Sequence, residues 1–105
     1  MTSIRSTAAE MATALAEGSV TSVQLTEAHY SRIHDVDSDV HAFLYLDKEG
    51  ALAQAAHVDA KRSKGEAQSA LAGVPLALKD VLTQKGIPTT CGSKILEGWR
   101  PPYDS

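Results

Sequence analysis

The chain has 105 residues, a formal net charge of −3 and a hydrophobic fraction of 43%. This length predicts one small domain, and the hydrophobic fraction argues against global disorder. The slight excess of acidic residues argues, on charge alone, against a nucleic-acid-binding protein, and the single cysteine, Cys91, excludes an internal disulfide.

The N-terminal region has no long apolar segment, since Glu10 and Glu17 interrupt its apolar runs. We therefore expect no signal peptide and no membrane span. An unpaired cysteine is also typical of a reducing compartment. Together these features predict a cytoplasmic protein.

The first two predicted elements are helices with matching start signals. Residues 7–10 (TAAE) fit a capping box, and apolar residues then recur at helical spacing until Gly18, which can end the helix in a left-handed turn. Residues 21–24 (TSVQ) repeat the start signal. The second helix should run to about His34.

The next two elements are a predicted strand and a third helix. Residues 40–46 (VHAFLYL) alternate in a way that puts apolar side chains on both faces, which is typical of a strand covered on both sides. Asp47 can cap a helix that runs to about Ser63.

A second strand is predicted over residues 71–79, beginning at Pro75 or locally unpaired there, because proline lacks a backbone donor. After Asp80, scattered glycines and prolines predict mostly irregular chain, with a possible short helix over residues 93–96.

This order of elements predicts an α/β protein. A strand, a crossover helix and another strand indicate a parallel or mixed sheet with helices packed on it. Two strands would leave both edges of the sheet open, so we expect the chain to be the opening part of a larger fold.

Metal and phosphate sites are poorly supported. The four histidines lack the tight spacing of metal ligands, and Cys91 has no CxxC partner. Three glycines of the second half are too far apart for a phosphate loop. These residues are His29, His34, His41 and His57, and Gly73, Gly86 and Gly92. We therefore expect no cofactor or metal in this chain. Cys91 has no histidine close by in sequence, and we interpret it as a small buried residue rather than a nucleophile.

Two basic features each leave two interpretations open. Lys61, Arg62 and Lys64 gather at the end of the third helix, where a solvated helix end is favoured over an RNA contact. Lys79 ends an apolar run. By spacing alone it is a surface lysine at a strand end; held in a dry site, its amine would become available as a base.

Residues 71–105 (LAGVPLALKDVLTQKGIPTTCGSKILEGWRPPYDS) resemble the amidase signature family, and within it the A subunits of the glutamyl-tRNA(Gln) amidotransferases. The helical first part, residues 7–33, is more loosely similar to the usual opening of those subunits. The matching positions are Gly73, Val74, Pro75, Lys79, Asp80, Lys85, Gly86, residues 89–97 and residues 101–104.

The resemblance implies a fold as well as a chemistry. It implies that residues 1–105 are the N-terminal portion of a single α/β/α amidase domain with a mixed central sheet. The helical opening would cover residues 1–36 and the start of the α/β core residues 40–105. It also implies that Lys79 belongs to a Ser–cis-Ser–Lys triad, in which it accepts a proton through the bridging serine while the other serine attacks the amide.

The amidotransferases that the sequence resembles are complexes. In them the amidase subunit hydrolyses glutamine and passes ammonia to a partner subunit, which amidates activated Glu-tRNA(Gln). The resemblance implies a heterotrimer with other amidotransferase subunits, contact with the tRNA only through the complex, and ATP and Mg²⁺ used by the partner subunit. No membrane partner is expected.

The sequence departs from the family in one respect. The Gly/Ser-rich stretch that supplies both serines is absent, and Ser93, although next to Gly92, belongs to a different part of the pattern. We therefore expect a fragment that is inactive by itself. Two alternatives stay open: a fragment of an amidase signature hydrolase that acts on small amides, and a non-catalytic interaction module. The downstream reading frame would distinguish the enzyme from the module.

Overall fold

The structure, a computed structural model, describes residues 3–105. It contains the helices α1 (Ala8–Glu17), α2 (Ser22–Val40) and α3 (Lys48–Ser63) and a short 3₁₀ helix, Lys94–Leu96. The chain divides into two compact units. The helical unit comprises the described residues up to His41 together with Lys48–Pro75, and the loop unit comprises Ala42–Asp47 and Leu76–Ser105.

Both predicted capping boxes are confirmed. The Thr7 hydroxyl accepts a hydrogen bond from the Glu10 N–H at 3.2 Å, and the Glu10 carboxylate accepts one from the Thr7 N–H at 2.7 Å. Thr21 and Gln24 repeat this exchange at 3.1 and 2.9 Å. Gly18 ends α1 in the left-handed conformation, with φ of 74°, which costs glycine little because it has no Cβ.

The core of the helical unit is small. Leu15 of α1 is fully buried and packs with Met11 and with Leu25 of α2, while Val20 and Val74 cover this cluster. Burying one such large apolar side chain contributes about 1.5–3 kcal/mol. The apolar stripe of α1 therefore orients it against α2.

A carboxylate on α3 completes the N-terminus of α2. Asp59 accepts hydrogen bonds from the N–H groups of Ser22 and Val23, at 2.8 and 3.0 Å. The Thr21 hydroxyl already accepts from the Gln24 N–H. The first three N–H groups of α2, which have no partner inside the helix, are thus all satisfied.

The loop after α3 returns to the start of α2 at Gly73. The Ser22 hydroxyl donates to the Gly73 carbonyl at 2.7 Å. Gly73 has a φ of 90°, and a Cβ added there would lie 3.1 Å from the Ser22 Cβ and 3.2 Å from the Val58 Cγ1. Both the backbone conformation and the close approach of Ser22 therefore require glycine at this position.

The basic cluster ends α3, as expected. Lys61 and Lys64 are exposed, whereas the Arg62 guanidinium donates to the Ala72 carbonyl at 3.1 Å. Arg62 therefore holds the following loop against the helix. The preference for a solvated helix end over an RNA contact stays a prediction.

The predicted α/β class with a mixed sheet is wrong for this structure. Residues 3–105 contain helices and irregular chain but no strand. Helix α2 continues past His34 to Val40, and His41 ends it with a φ of 53°. Residues 42–47 and 74–79 are irregular rather than the predicted strands over 40–46 and 71–79.

The physical reason is that an alternating apolar pattern does not by itself make a strand. A strand exists only when a neighbouring segment accepts and donates its backbone hydrogen bonds. Neither segment pairs in this way within the described residues. Their large apolar side chains are correspondingly exposed, with 75% of Leu44 and 83% of Leu76 accessible to solvent.

The loop unit is held together by hydrogen bonds between two antiparallel stretches. The Gly86 N–H donates to the Pro101 carbonyl at 2.8 Å, and the Thr89 N–H donates to the Trp99 carbonyl at 3.2 Å. Thr89 and Pro101 are almost completely buried. Ser93 caps the short 3₁₀ helix, which confirms the helix predicted over residues 93–96.

Candidate functional site

Lys79 lies in the loop unit, in an irregular stretch, and its side chain is exposed. Its carbonyl accepts a hydrogen bond from the Leu82 N–H at 3.0 Å, which closes a turn directly after it. Because the strand that was expected to end here is absent, Lys79 is not a strand-end residue in this structure.

The residue after Lys79 is fixed by a two-point contact. The Asp80 carboxylate accepts from the Thr90 N–H at 2.9 Å through Oδ1 and from the Thr90 hydroxyl, at short range, through Oδ2. These two bonds hold the pKa of Asp80 below its ordinary value of 3.8, and the bond from the Thr90 hydroxyl contributes more than the bond from the Thr90 N–H. Asp80 is therefore ionised at neutral pH and committed to Thr90.

The neighbouring turn adds further contacts. The Cys91 N–H donates to the Asp80 carbonyl at 3.3 Å, and the Gly92 N–H donates to the Thr90 hydroxyl oxygen at 3.2 Å. The turn formed by residues 79–82 and the turn formed by residues 90–92 are thus connected through side chain and backbone. We call this set of contacts the Asp80–Thr90 clamp.

The prediction that Cys91 is buried is wrong. Its thiol is exposed, and its backbone is left-handed with a φ of 51°. The residue sits at the tip of a tight turn, where side chains point outward, and the sequence alone did not reveal that turn. Cys91 takes part in the clamp through its backbone N–H.

Ser93 has a structural role in this loop. Its hydroxyl oxygen accepts from the Ile95 N–H at 3.2 Å and so caps the 3₁₀ helix. The interpretation that Ser93 is not the nucleophile stays a prediction. The role of Thr90, by contrast, was missed by the sequence reasoning, because ten residues separate it from Asp80 and no local spacing signals their contact.

The expectation of no metal or cofactor in this chain stays a prediction. Among residues 3–105, no three His, Cys, Asp or Glu side chains are grouped so that they could hold a metal ion. His29 uses its Nδ1 to donate to the Leu25 carbonyl at 2.7 Å on the same helix. In the same described range, no helix is both long and apolar enough to cross a membrane.

Comparison with known proteins gives this loop its context. The sequence profile of the family described as Amidase matches residues 24–105. The chain belongs to the amidase family. The resemblance stated from residues 71–105 is thereby confirmed, and the amidase match includes both Lys79 and the clamp.

Several curated relatives carry one name, that of the A subunit of glutamyl-tRNA(Gln) amidotransferase. The relative from Streptomyces avermitilis is 66% identical over 102 residues, and those from Acidothermus cellulolyticus and Thermobifida fusca are 59% and 50% identical over the same length. Each match covers 97% of this chain and 20% of the relative. The chain thus spans about a fifth of the length of these relatives.

A solved structure is also similar. It is described as a vestigial protein complex that reveals the evolutionary origins of an s-triazine catabolic enzyme, bound to an inhibitor. The similarity has a TM-score of 0.88 at 30% sequence identity, and it covers 94% of this amidase chain and 22% of the solved chain.

Proposed function

We propose that this chain forms part of the glutamine-hydrolysing A subunit of a glutamyl-tRNA(Gln) amidotransferase. The observation that carries the proposal is the 66% identity to such a protein over 97% of the chain. Within the amidase family this name belongs to relatives from several bacteria, all matched over the same share of their length.

In the proposed reaction Lys79 is the base. Its neutral amine accepts a proton from a bridging serine, which takes the proton of a second serine as that oxygen attacks the carboxamide carbon of glutamine. The C–N bond then breaks, so that an acyl-enzyme forms and ammonia leaves. Both serines lie outside this chain in the proposal, so the 105 residues alone are inactive and contribute the base and its support.

The exposure of Lys79 supports the proposal that this chain contributes the base and that the serines come from another part of the full-length protein. A lysine that is exposed in the loop unit can become desolvated when a further part of the full-length protein covers it, and burial favours the neutral amine that a base requires. The clamp holds the backbone next to Lys79 without engaging its amine.

The proposal extends to the complex. The full-length protein would work in a cytoplasmic heterotrimer, in which a partner subunit uses ATP and Mg²⁺ to activate Glu-tRNA(Gln) and receives the ammonia. This chain would bind neither the nucleotide nor the metal, and it would meet the tRNA only through the assembled complex.

A second candidate is an amidase signature hydrolase that acts on small amides. The similar solved structure keeps this candidate open, because its description names an s-triazine catabolic enzyme and not an amidotransferase. The two candidates share the base and differ in whether glutamine is the substrate and in whether partner subunits are needed.

A chimera tests the proposal. In it, this chain replaces the matching 102 residues of the Streptomyces avermitilis relative, which is then assembled with the other subunits of that amidotransferase. The proposal predicts ammonia release from glutamine and formation of Gln-tRNA(Gln) at rates close to those of the unaltered complex. Loss of ammonia release from glutamine would contradict the proposal. The second candidate is tested on the protein's own full-length chain, where ammonia release from small amides without partner subunits, and not from glutamine, would favour it.

A further inference from the structure

We propose that Asp80 and Thr90 are positioning residues for the catalytic amine, acting through the clamp that fixes the backbone of Lys79. This inference rests on the proposed function of Lys79 as the base. It assigns a share of the rate of amide hydrolysis to two side chains that are hydrogen-bonded to each other.

The clamp acts on the C-terminal side of Lys79. Immediately after it, the Asp80 carboxylate binds Thr90 at two points and the Asp80 carbonyl accepts from the Cys91 N–H. The turn bond from Leu82 to the Lys79 carbonyl adds a fourth contact. The backbone of residues 79–80 therefore has a defined place relative to the turn at residues 90–92.

The N-terminal side of Lys79 has no comparable support from a folded element. Residues 76–78 are irregular and exposed, and Leu76 is 83% accessible. A lysine side chain has many rotatable bonds, so the location of its amine depends on how well its backbone is held. Small displacements of a catalytic group by about 1 Å can cost about 10²-fold in rate, so this support is expected to matter.

The contact geometry points to positioning rather than to a charge effect. Each carboxylate oxygen of Asp80 is engaged by a donor of Thr90, so the carboxylate faces the turn at residues 90–92. An Asp80→Asn variant can reproduce this arrangement. The amide oxygen accepts from the Thr90 N–H, while the amide NH₂ donates to the Thr90 hydroxyl oxygen.

The test uses the chimeric complex described above and compares kcat, KM and the pH profile of glutamine hydrolysis. Asp80→Ala, which removes both contacts, should lower kcat by about 10- to 100-fold with little change in KM. Thr90→Val, which removes only the hydroxyl, should lower kcat less. The double variant should be about as slow as Asp80→Ala, because Asp80→Ala already breaks the bond between Asp80 and the Thr90 hydroxyl, and only the bond from the Gly92 N–H is lost in addition.

Two further variants give the test its specificity. Asp80→Asn should recover most of the kcat lost in Asp80→Ala, with an unchanged pH profile. Asp104→Ala is the matched control, since Asp104 also accepts from a backbone N–H of the loop unit, that of Lys85 at 2.7 Å, but is not part of the clamp. It should leave kcat close to that of the parent.

Three results would overturn the inference. The first is an equal effect of Asp80→Ala and Asp104→Ala on kcat. The second is an Asp80→Asn variant as slow as Asp80→Ala with a shifted pH profile, which would indicate a charge effect. The third is a Thr90→Val variant with the kcat of the parent. The comparison of Thr90→Val with the parent tests the positioning role even if the Asp80→Ala variant fails to assemble. Retained activity of Lys79→Arg would instead refute the proposed function itself.

Discussion

The helical unit and the loop unit are stabilised in different ways. In the helical unit, capping boxes start the helices and a small cluster around Leu15 packs them together. In the loop unit, hydrogen bonds connect segments between ten and 22 residues apart, and exposed apolar side chains outnumber buried ones. The difference indicates that the first unit supplies stability and that the second presents the residue proposed for chemistry.

The largest predicted effect belongs to the loop unit and should leave the helical unit unchanged. Lys79→Met removes the base but keeps an apolar stem, and Lys79→Arg keeps a charge that cannot be lost near neutral pH. In the chimeric complex each should reduce ammonia release from glutamine by about 10²- to 10⁴-fold. Circular dichroism of the 105-residue chain should show the same helix content. Near-parental ammonia release by Lys79→Arg would make Lys79 an ordinary surface residue.

The next effect concerns stability and belongs to the helical unit. Leu15→Ala should lower the free energy of unfolding of the chain by about 2–5 kcal/mol, because Leu15 is fully buried and its loss leaves a cavity. The matched control is Leu44→Ala in the loop unit, where the side chain is 75% exposed and the change should be within about 0.5 kcal/mol. Urea unfolding followed by circular dichroism measures both. Equal losses would show that the core is elsewhere.

A third test concerns the turn that returns the chain to α2. Gly73→Ala should cost about 1–3 kcal/mol, because alanine disfavours a φ of 90° and its Cβ would crowd Ser22 and Val58. Gly65→Ala is a matched control, since its φ is 71° but no atom lies within 4 Å of an added Cβ. The difference between the two free energies of unfolding isolates the crowding. A larger loss for Gly65→Ala would contradict the contact between Gly73 and Ser22.

A smaller effect is expected at the contact between α3 and α2. Asp59→Ala removes the acceptor of two N–H groups and should cost about 0.5–2 kcal/mol, as loss of a helix cap does. Hydrogen exchange of the Ser22 and Val23 amides should accelerate, while that of Glu10 in α1 stays unchanged. Asp59→Asn, which retains one acceptor oxygen, should lie between Asp59→Ala and the parent. Unchanged exchange at Ser22 would exclude the cap.

The smallest predicted effect is a pH dependence within the loop unit. Because the pKa of Asp80 is lowered by Thr90, its ionised form stabilises the folded loop at all pH values above its ordinary value of 3.8. That contribution should fade as the pH falls from 3.8 through the lowered pKa. The amide resonance of Thr90 should shift over this range and stay constant above it. The Thr90 amide resonance of the Asp80→Asn variant should not shift over this pH range. An equal shift in that variant would show that another group titrates.

Features that depend on neighbouring residues were predictable from the sequence. A capping box joins residues three apart, and the left-handed end at Gly18 follows from the freedom of glycine, so the starts of α1 and α2 were both correct. The bounds of α3 were also close to those expected. Only the end of α2 differed, since no glycine stops the helix before His41.

Features that depend on distant residues were not predictable. The apolar alternation over residues 40–46 suits a strand, but a strand also needs a partner, and a single sequence does not show one. The Asp80–Thr90 clamp was not predictable for the same reason, because its two side chains are distant in sequence. Asp80 beside Lys79 was visible in the motif, whereas Thr90 and the outward turn at Cys91 became meaningful only once the loop was seen folded.

The contact of Asp59 with α2 has a consequence for the order of folding. Its partners are 36 and 37 residues away, so the bonds form only after the chain between the two helices has closed into a loop. Until then, two N–H groups at the start of α2 rely on water, and the helix is free to fray there. We expect the first N–H groups of α2 to become fully ordered together with the docking of α3.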